Sequence, residues 1–317
     1  MTLKIRTLLI VGLVSIITSC AVNQPITPVV PDAPMPATEV ESEYFLNSSE
    51  YKLLLSPEKF VNMSEGFEAY WQIINEIADA EGIPVLASEH PMELKHKEVS
   101  FFDTKNLDLR KNRFLLRQKL KYKGEELQSN YEFAVKYRHP DPVTALSMDL
   151  TLAEGYVSKY GEIELESDIV YYSSANGSTH TSYTVSNSIK LAVEPEMTLG
   201  TFAAIYPALK TIDIPAETPL SLVSGISADE WMVVPGKLEF GDGLFGRMDM
   251  TVWILEGPEG KISVPEFSFD HPFTKDHDYD PVAMERCTTF INKLNDKYPE
   301  WVVPGELKAA TLFNLKK

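Results

Sequence analysis

The chain has 317 residues, 44% of them hydrophobic, and carries 46 Asp and Glu against 29 Lys and Arg, a formal net charge of −17. That length and apolar share support a sizeable buried core, while so acidic a balance argues against nucleic acid and anionic lipid as partners. Any local cluster of basic residues is informative because it runs against this background.

Lys4 and Arg6 precede an apolar run, Leu8 to Ile17, that is short for a membrane span, and Ile17-Thr18-Ser19-Cys20 ends it with small residues before a cysteine. The pattern resembles a bacterial lipoprotein signal over residues 1–19, which implies cleavage before Cys20 and a lipid such as palmitate on that cysteine. A plain secretory signal or a membrane anchor, with an incidental cysteine, is the alternative. Ala21 stands where an inner-membrane retention signal would have Asp, so the resemblance implies the outer membrane of the cell envelope, facing the periplasm, with the lipid as the only membrane contact. Residues 20–42, with Pro25, Pro28, Pro31, Pro34 and Pro36, read as an extended tether. Cleavage would remove Lys4 and Arg6 and no acid, taking −17 to −19. It would leave Cys287 as the one cysteine of the fold, unable to form an internal disulfide and expected as a buried thiol. Residues 43–317 are expected to form a single domain.

Ser48, Glu50 and Lys52 share one parity of a first strand, residues 48 to 55. Met63 to Ala80 follows with Phe67, Tyr70, Trp71, Ile74 and Ile77 at helical spacing, Ser64 as N-cap and Gly82 as stop. Residues 83 to 95 read as an irregular connection. Lys97 to Asp103 is a strand, and Asp103, Thr104, Asn106 and Asp108 form a polar turn. In Leu109 to Lys121, Phe114 and Leu116 fall on one parity and Arg113, Arg117, Lys119 and Lys121 on the other, so one face of this strand is apolar and the other cationic. Such a face is either a solvated exterior or the wall of an anion site.

Residues 128 to 138 carry Glu132, Lys136 and Arg138 on one parity, after a turn containing Gly124. Gly161 to Ile169 places Glu162, Glu164 and Glu166 on one face, and residues 170 to 186, with Asn176-Gly177, read as a hairpin tip. Thr198 to Leu209 reads as a short helix, and residues 210 to 232 carry no clear pattern. Gly236 to Phe240, Arg247 to Leu255 and Lys261 to Asp270 read as strands, the last with Glu266 and Ser268 on one face. Asp280-Pro281 begins a helix as N-cap and N1, and residues 305 to 315 are expected as a short final strand. Asp276, Asp278 and Asp280 mimic the start of a calcium loop, but Pro281 stands in place of the loop glycine, so a solvated loop and cap is the reading. The six histidines show no paired ligand spacing. The sum is an α+β protein on an antiparallel sheet.

The block Phe101 to Lys119, FFDTKNLDLRKNRFLLRQK, resembles the strand-turn-strand of the CYTH-like, triphosphate tunnel metalloenzyme family, and the element order over residues 46 to 313 is similar as well. The resemblance implies an eight-stranded antiparallel tunnel-like β-barrel with flanking helices, whose interior binds a polyphosphate or another triphosphate-bearing small molecule with a divalent cation, Mg²⁺ or Mn²⁺. By position it implies Lys52, Arg117, Lys119, Lys136, Arg138 and Arg247 as phosphate ligands, Glu50, Glu164 and Glu266 as metal ligands, and Glu162 as a further tunnel-facing acid. The strand alternation agrees with a polar-lined tunnel; solvated faces on an open sheet are the alternative. Ser48 and Ser268 stand where the family has acids, leaving enough carboxylates for one ion rather than two. Metal-assisted phosphoanhydride hydrolysis is the implied reaction. A barrel that has lost catalysis and serves as a binding or envelope-scaffold module is the alternative.

Overall fold

The computed structural model describes residues 2–5, 42–124, 126–128, 130–173, 178–257, 260–275, 277–305 and 307–315. Cys20, nearly all of the expected tether, the Asn176-Gly177 tip and Asp276 lie outside the described residues. Thr2–Ile5 pairs antiparallel with Ser42–Phe45 in a ladder separate from the main sheet. Among the described residues no helix is long and apolar enough to cross a membrane.

Nine strands close into a barrel. In chain order they are β1 (Ser48–Leu54), β2 (Lys95–Asp103), β3 (Phe114–Lys123), β4 (Tyr131–His139), β5 (Glu164–Ser173), β6 (Ser178–Leu191), β7 (Ala228–Gly241), β8 (Leu244–Gly257) and β9 (Gly260–Pro272). Around the ring the order is β2-β7-β8-β9-β1-β5-β6-β4-β3, and β3 returns to β2. Every junction is antiparallel except β1–β5, which is parallel with Ser48 opposite Glu166 and Lys52 opposite Val170. The expected eight-stranded, wholly antiparallel barrel is therefore corrected to nine strands with one parallel pair. The additional strand is β6, read from sequence as a hairpin tip. Its Ser182, Thr184, Ser186 and Ser188 carry no charge alternation that would have marked it.

The alternation seen in the sequence is radial. On β1 the buried Ser49, Tyr51 and Leu53 point outward and Ser48, Glu50 and Lys52 point into the barrel. The outward apolar parity packs beneath α1 (Met63–Ala80) and α3 (Pro281–Lys297). Tyr51 stacks on Phe269 at 4.9 Å, Tyr70 of α1 meets Phe267 at 5.6 Å, and Phe290 of α3 meets Phe269 at 5.9 Å. Fully burying such rings contributes about 1.5–3 kcal/mol each. The N-cap of α1 is Asn62, not Ser64, and Asp280 caps α3 through Val282 N as expected. Cys287 is buried in α3. A shorter helix, α2 (Leu199–Ile205), is capped by Thr198.

β7 runs through Pro235-Gly236, where the sequence had suggested a strand start. A register shift between Val233 and Gly236 accommodates the missing N–H of Pro235. Gly236 has φ +151°, and a Cβ there would lie 2.1 Å from the Leu86 carbonyl oxygen. The segment Leu109 to Arg113, expected as strand, is instead mostly a helical turn (Asp108–Lys111) followed by Arg113 at φ +66°. Asp103 fixes that turn by accepting from the N–H groups of Thr104, Leu109 and Arg110. The expected final strand is also corrected: Lys308–Asn314 is a helix, α4. Its Leu312 is buried with Val99, Phe101 and Trp253, so α4 covers one end of the barrel.

Candidate functional site

The barrel encloses a cavity of about 790 Å³ lined by nine Lys or Arg side chains and seven carboxylates. All six residues expected to bind phosphate line it, as do Glu50, Glu164 and Glu266. Glu162 does not: it precedes β5 and is exposed, and Glu166 holds an inward position of that strand. Arg113 lines a second pocket of about 450 Å³ that shares Leu115, Arg138, Leu307 and Ala309 with this cavity.

Ion pairing sorts these cations. Lys52 contacts Glu50 at 2.7 Å and also Asp168, while Arg138 donates to Asp168 at 3.0 Å and to Thr184 at 2.9 Å. Burial opposes ionisation of Asp168, but Lys52 and Arg138 hold its carboxyl well below the usual range. Burial likewise opposes the Lys52 charge, and Asp168 and Glu50 hold its pKa above the ordinary value. Lys136 pairs with Glu166 at 3.0 Å. Arg247 donates to Asp270 at 3.0 Å and lies 3.6 Å from Asp249.

Arg117 and Lys119 differ. Among the described residues neither makes an ion pair, and the Arg117 Nε is buried without a hydrogen-bond partner. Both stand on β3, two residues apart and on one face. The Arg117 charge, followed by burial, lowers the Lys119 pKa well below that of a free lysine; Glu230 opposes the shift, and Lys97 and Lys136 add to it. Lys97 is lowered by burial despite Glu230 at 3.5 Å. This part of the cavity concentrates positive charge, with Glu230 as the nearest acid and no ion pair to Arg117 or Lys119 among the described residues.

The acids are distributed differently from the expected metal set. Glu50 is held by Lys52 and Glu266 by Lys308 at 3.1 Å. Glu164 lies toward the other mouth on β5, its pKa raised by burial and then by Glu166. Among the described residues, no three His, Cys, Asp or Glu side chains come together as a metal-ligand set. A small divalent ion requires several hard oxygens at about 2.0–2.6 Å, and here those of Glu50 and Glu266 face ammonium donors, while Glu164 stands apart from both. The residues therefore do not fit the divalent cation that the resemblance implies. A second acid group surrounds Arg247: burial raises Asp270 to about 6, with Glu50 and Asp249 adding to the rise and Arg247 opposing it.

Sequence reasoning passed over Asp168, Asp249, Asp270, Lys97, Glu230 and Lys308. Asp168 shares the parity of Glu164 and Glu166, Asp249 that of Arg247, and Asp270 that of Glu266, so extending each alternation by one step would have included them. Lys308 gave no such signal, because it enters the cavity from a helix.

No family model matches the chain, and no curated protein matches it. Among solved structures it is similar to a Hippeastrum protein named as an adenylyl cyclase with a dominant triphosphatase activity, at 12% identity and TM-score 0.41, covering 84% of this chain and 95% of that one. It is also similar to a Bacillus halodurans protein named as an adenylate cyclase, at 15% identity and TM-score 0.39, covering 85% and 100%. A Pyrococcus horikoshii protein gives 12% identity and TM-score 0.30, covering 78% and 89%. These neighbours are CYTH-like proteins. At such identities and scores the likeness is descriptive, and the closed barrel is seen directly in the strand pairing.

Proposed function

We propose that this chain is an envelope protein, anchored by a lipid on Cys20, whose barrel binds an oligophosphate, either free polyphosphate or the phosphate chain of a small organic molecule. The observation that carries the reading is the Arg117–Lys119 pair: two cations inside an acidic protein, without an ionic partner among the described residues. A buried charge lacking a partner costs several kcal/mol, and an incoming anion would relieve that cost. Arg117 offers a planar fork and Lys119 a compact ammonium, so one ligand phosphate can be held in two ways. Lys97 and Lys136, beside them, extend the positive surface along a chain of phosphates. The paired acids make binding, rather than metal-assisted hydrolysis, the function that the geometry supports.

Calorimetric titration with tripolyphosphate tests this. Wild-type protein binds, and Arg117→Met loses about 10-fold or more in affinity, in line with ~1.5–3 kcal/mol for a charge-assisted contact. No binding by the wild type, or unchanged binding by the variant, refutes the reading. The anchor is tested separately by cell fractionation: Cys20→Ala moves the protein from the membrane to the soluble fraction. Retention of that variant in the membrane refutes the lipid assignment alone.

A further inference from the structure

Glu230 on β7 and Glu266 on β9 flank β8, and each residue is only 5% exposed. The Nζ of Lys308, the first residue of α4, stands between them. It lies 3.1 Å from Glu266 and 3.5 Å from Glu230, donates to the Thr251 hydroxyl at 2.6 Å, and sits 5.0 Å from the centre of the Trp253 ring. Trp253 Nε1 donates to Glu230 at 2.7 Å, and Lys97 approaches the same carboxylate from the opposite side at 3.5 Å. The ammonium is carried on a packed element. Leu312 of α4 is buried, Phe313 meets Phe101 edge-on at 5.7 Å, and Ser224 donates to the Leu312 carbonyl at 2.8 Å.

We infer that Lys308 is a built-in cation: its ammonium fills the place between Glu230 and Glu266 that a divalent ion would need, so this tunnel takes up an oligophosphate without a metal. The second half of that statement rests on the oligophosphate reading above, whereas the first half stands on the Lys308 geometry alone. Two carboxylates face two ammonium groups, Lys308 and Lys97, and the cluster is neutral. A divalent ion placed there would add two charges to a neutral group that already has Lys119 nearby, and it would have to displace the Lys308 ammonium and the Trp253 indole N–H to obtain its oxygens. Although burial opposes it, Glu266 and Glu230 hold the Lys308 pKa above the ordinary lysine value, so the charge is retained. The fold thus supplies within the chain the positive charge that a metal would otherwise bring, leaving Arg117 and Lys119 to meet the ligand.

Two measurements on the full chain test this. The first is manganese uptake, followed by loss of the free-ion electron paramagnetic resonance signal, with no phosphate present. Wild type and Lys308→Arg leave the signal unchanged, and Lys308→Met, which frees the carboxylate pair, reduces it. Uptake by the wild type, or none by a Lys308→Met protein that circular dichroism shows to be folded, overturns the inference. Should Lys308→Met not fold, the wild-type and Lys308→Arg results decide. The second is tripolyphosphate titration in EDTA, where wild-type binding persists. Binding lost in EDTA and restored by magnesium overturns the inference. Absence of tripolyphosphate binding under every condition overturns the functional reading instead, and the manganese measurement still decides whether Lys308 is the resident cation.

Discussion

Replacing Lys119 by Met separates stability from function, because the same unpaired charge serves one and harms the other. The methionine keeps most of the unbranched stem that packs along β3 and removes an ammonium that Arg117 and burial already disfavour. Exchanging a buried ion pair for apolar volume is often neutral or stabilising by about 1–4 kcal/mol, and a buried charge without a partner has still less to lose. A gain of about 1–2 kcal/mol is expected here, because Lys119 is only partly enclosed. In a domain of this size, that raises the melting temperature by roughly 2–8 °C. Tripolyphosphate at about a hundredfold excess over its dissociation constant stabilises the wild type by ~2.7 kcal/mol. The variant, lacking a charge-assisted contact of ~1.5–3 kcal/mol, responds far less at the same ligand concentration. The assay is differential scanning calorimetry with and without tripolyphosphate. The variant melts above the wild type in its absence, and ligand narrows or reverses the order. A lower melting temperature for the unliganded variant, or an undiminished ligand response, refutes the claim that Lys119 stands unpaired to meet an anion.

Asp168→Asn has the opposite consequence. It leaves Lys52 and Arg138 buried without their shared carboxylate, and urea denaturation is expected to show a loss of about 3–5 kcal/mol; a loss below about 1 kcal/mol contradicts the pairing. Asp270 predicts a pH dependence. Its folded pKa, about 6, lies above the unfolded value, so its contribution to stability is fully present below about pH 4 and is lost as pH rises through 6. Its side chain is 28% exposed, so the shift is discounted for solvent screening to about 1–2 kcal/mol. Asp270→Asn therefore matches the wild type near pH 4 and exceeds its stability by that amount at pH 8. His271, lowered by burial to about 4, titrates in the same window in both proteins and cancels in the difference. A difference independent of pH refutes the assignment.

The sequence announced the barrel through alternation and concealed its closure. Parity on β1, β3, β4, β5 and β9 correctly separates the inward from the outward face, because a pleated strand leaves no third choice. Parity cannot reveal the neighbour of a strand. The parallel β1–β5 junction joins two segments that each look like ordinary amphipathic strands, and its register is set by residues more than a hundred positions apart. β6 was missed because its inward residues are serine and threonine, polar enough for a tunnel and too neutral to stand out beside charged strands. The cations of the site were legible as residue types on a face. Which of them lack partners was not, because that depends on acids such as Asp168, brought to Lys52 and Arg138 only by barrel closure.

The charge pattern of the whole molecule gives that pairing its meaning. A tunnel lined by nearly balanced charge would by itself be an indifferent receptor, since each internal pair satisfies itself and has little to offer a ligand. Selectivity then depends on the remainder after pairing. Here Asp168 holds Lys52 and Arg138, Glu166 holds Lys136, Asp270 holds Arg247, and Glu266 and Glu230 hold Lys308. Glu230 also holds Lys97, and Lys237 is exposed, so what remains enclosed among the described residues is a compact pair on β3 inside a protein whose net charge of −17 repels anions from elsewhere on its surface. Long-range attraction does not account for binding in such a molecule. An oligophosphate must reach the tunnel against the overall field and be held at short range, so added salt should hasten its association by screening the outer repulsion. At the desolvated Arg117–Lys119 pair screening is much weaker, and the same salt should alter dissociation less. Stopped-flow measurement of both rates across ionic strength distinguishes this from an exposed basic patch, where salt slows association instead.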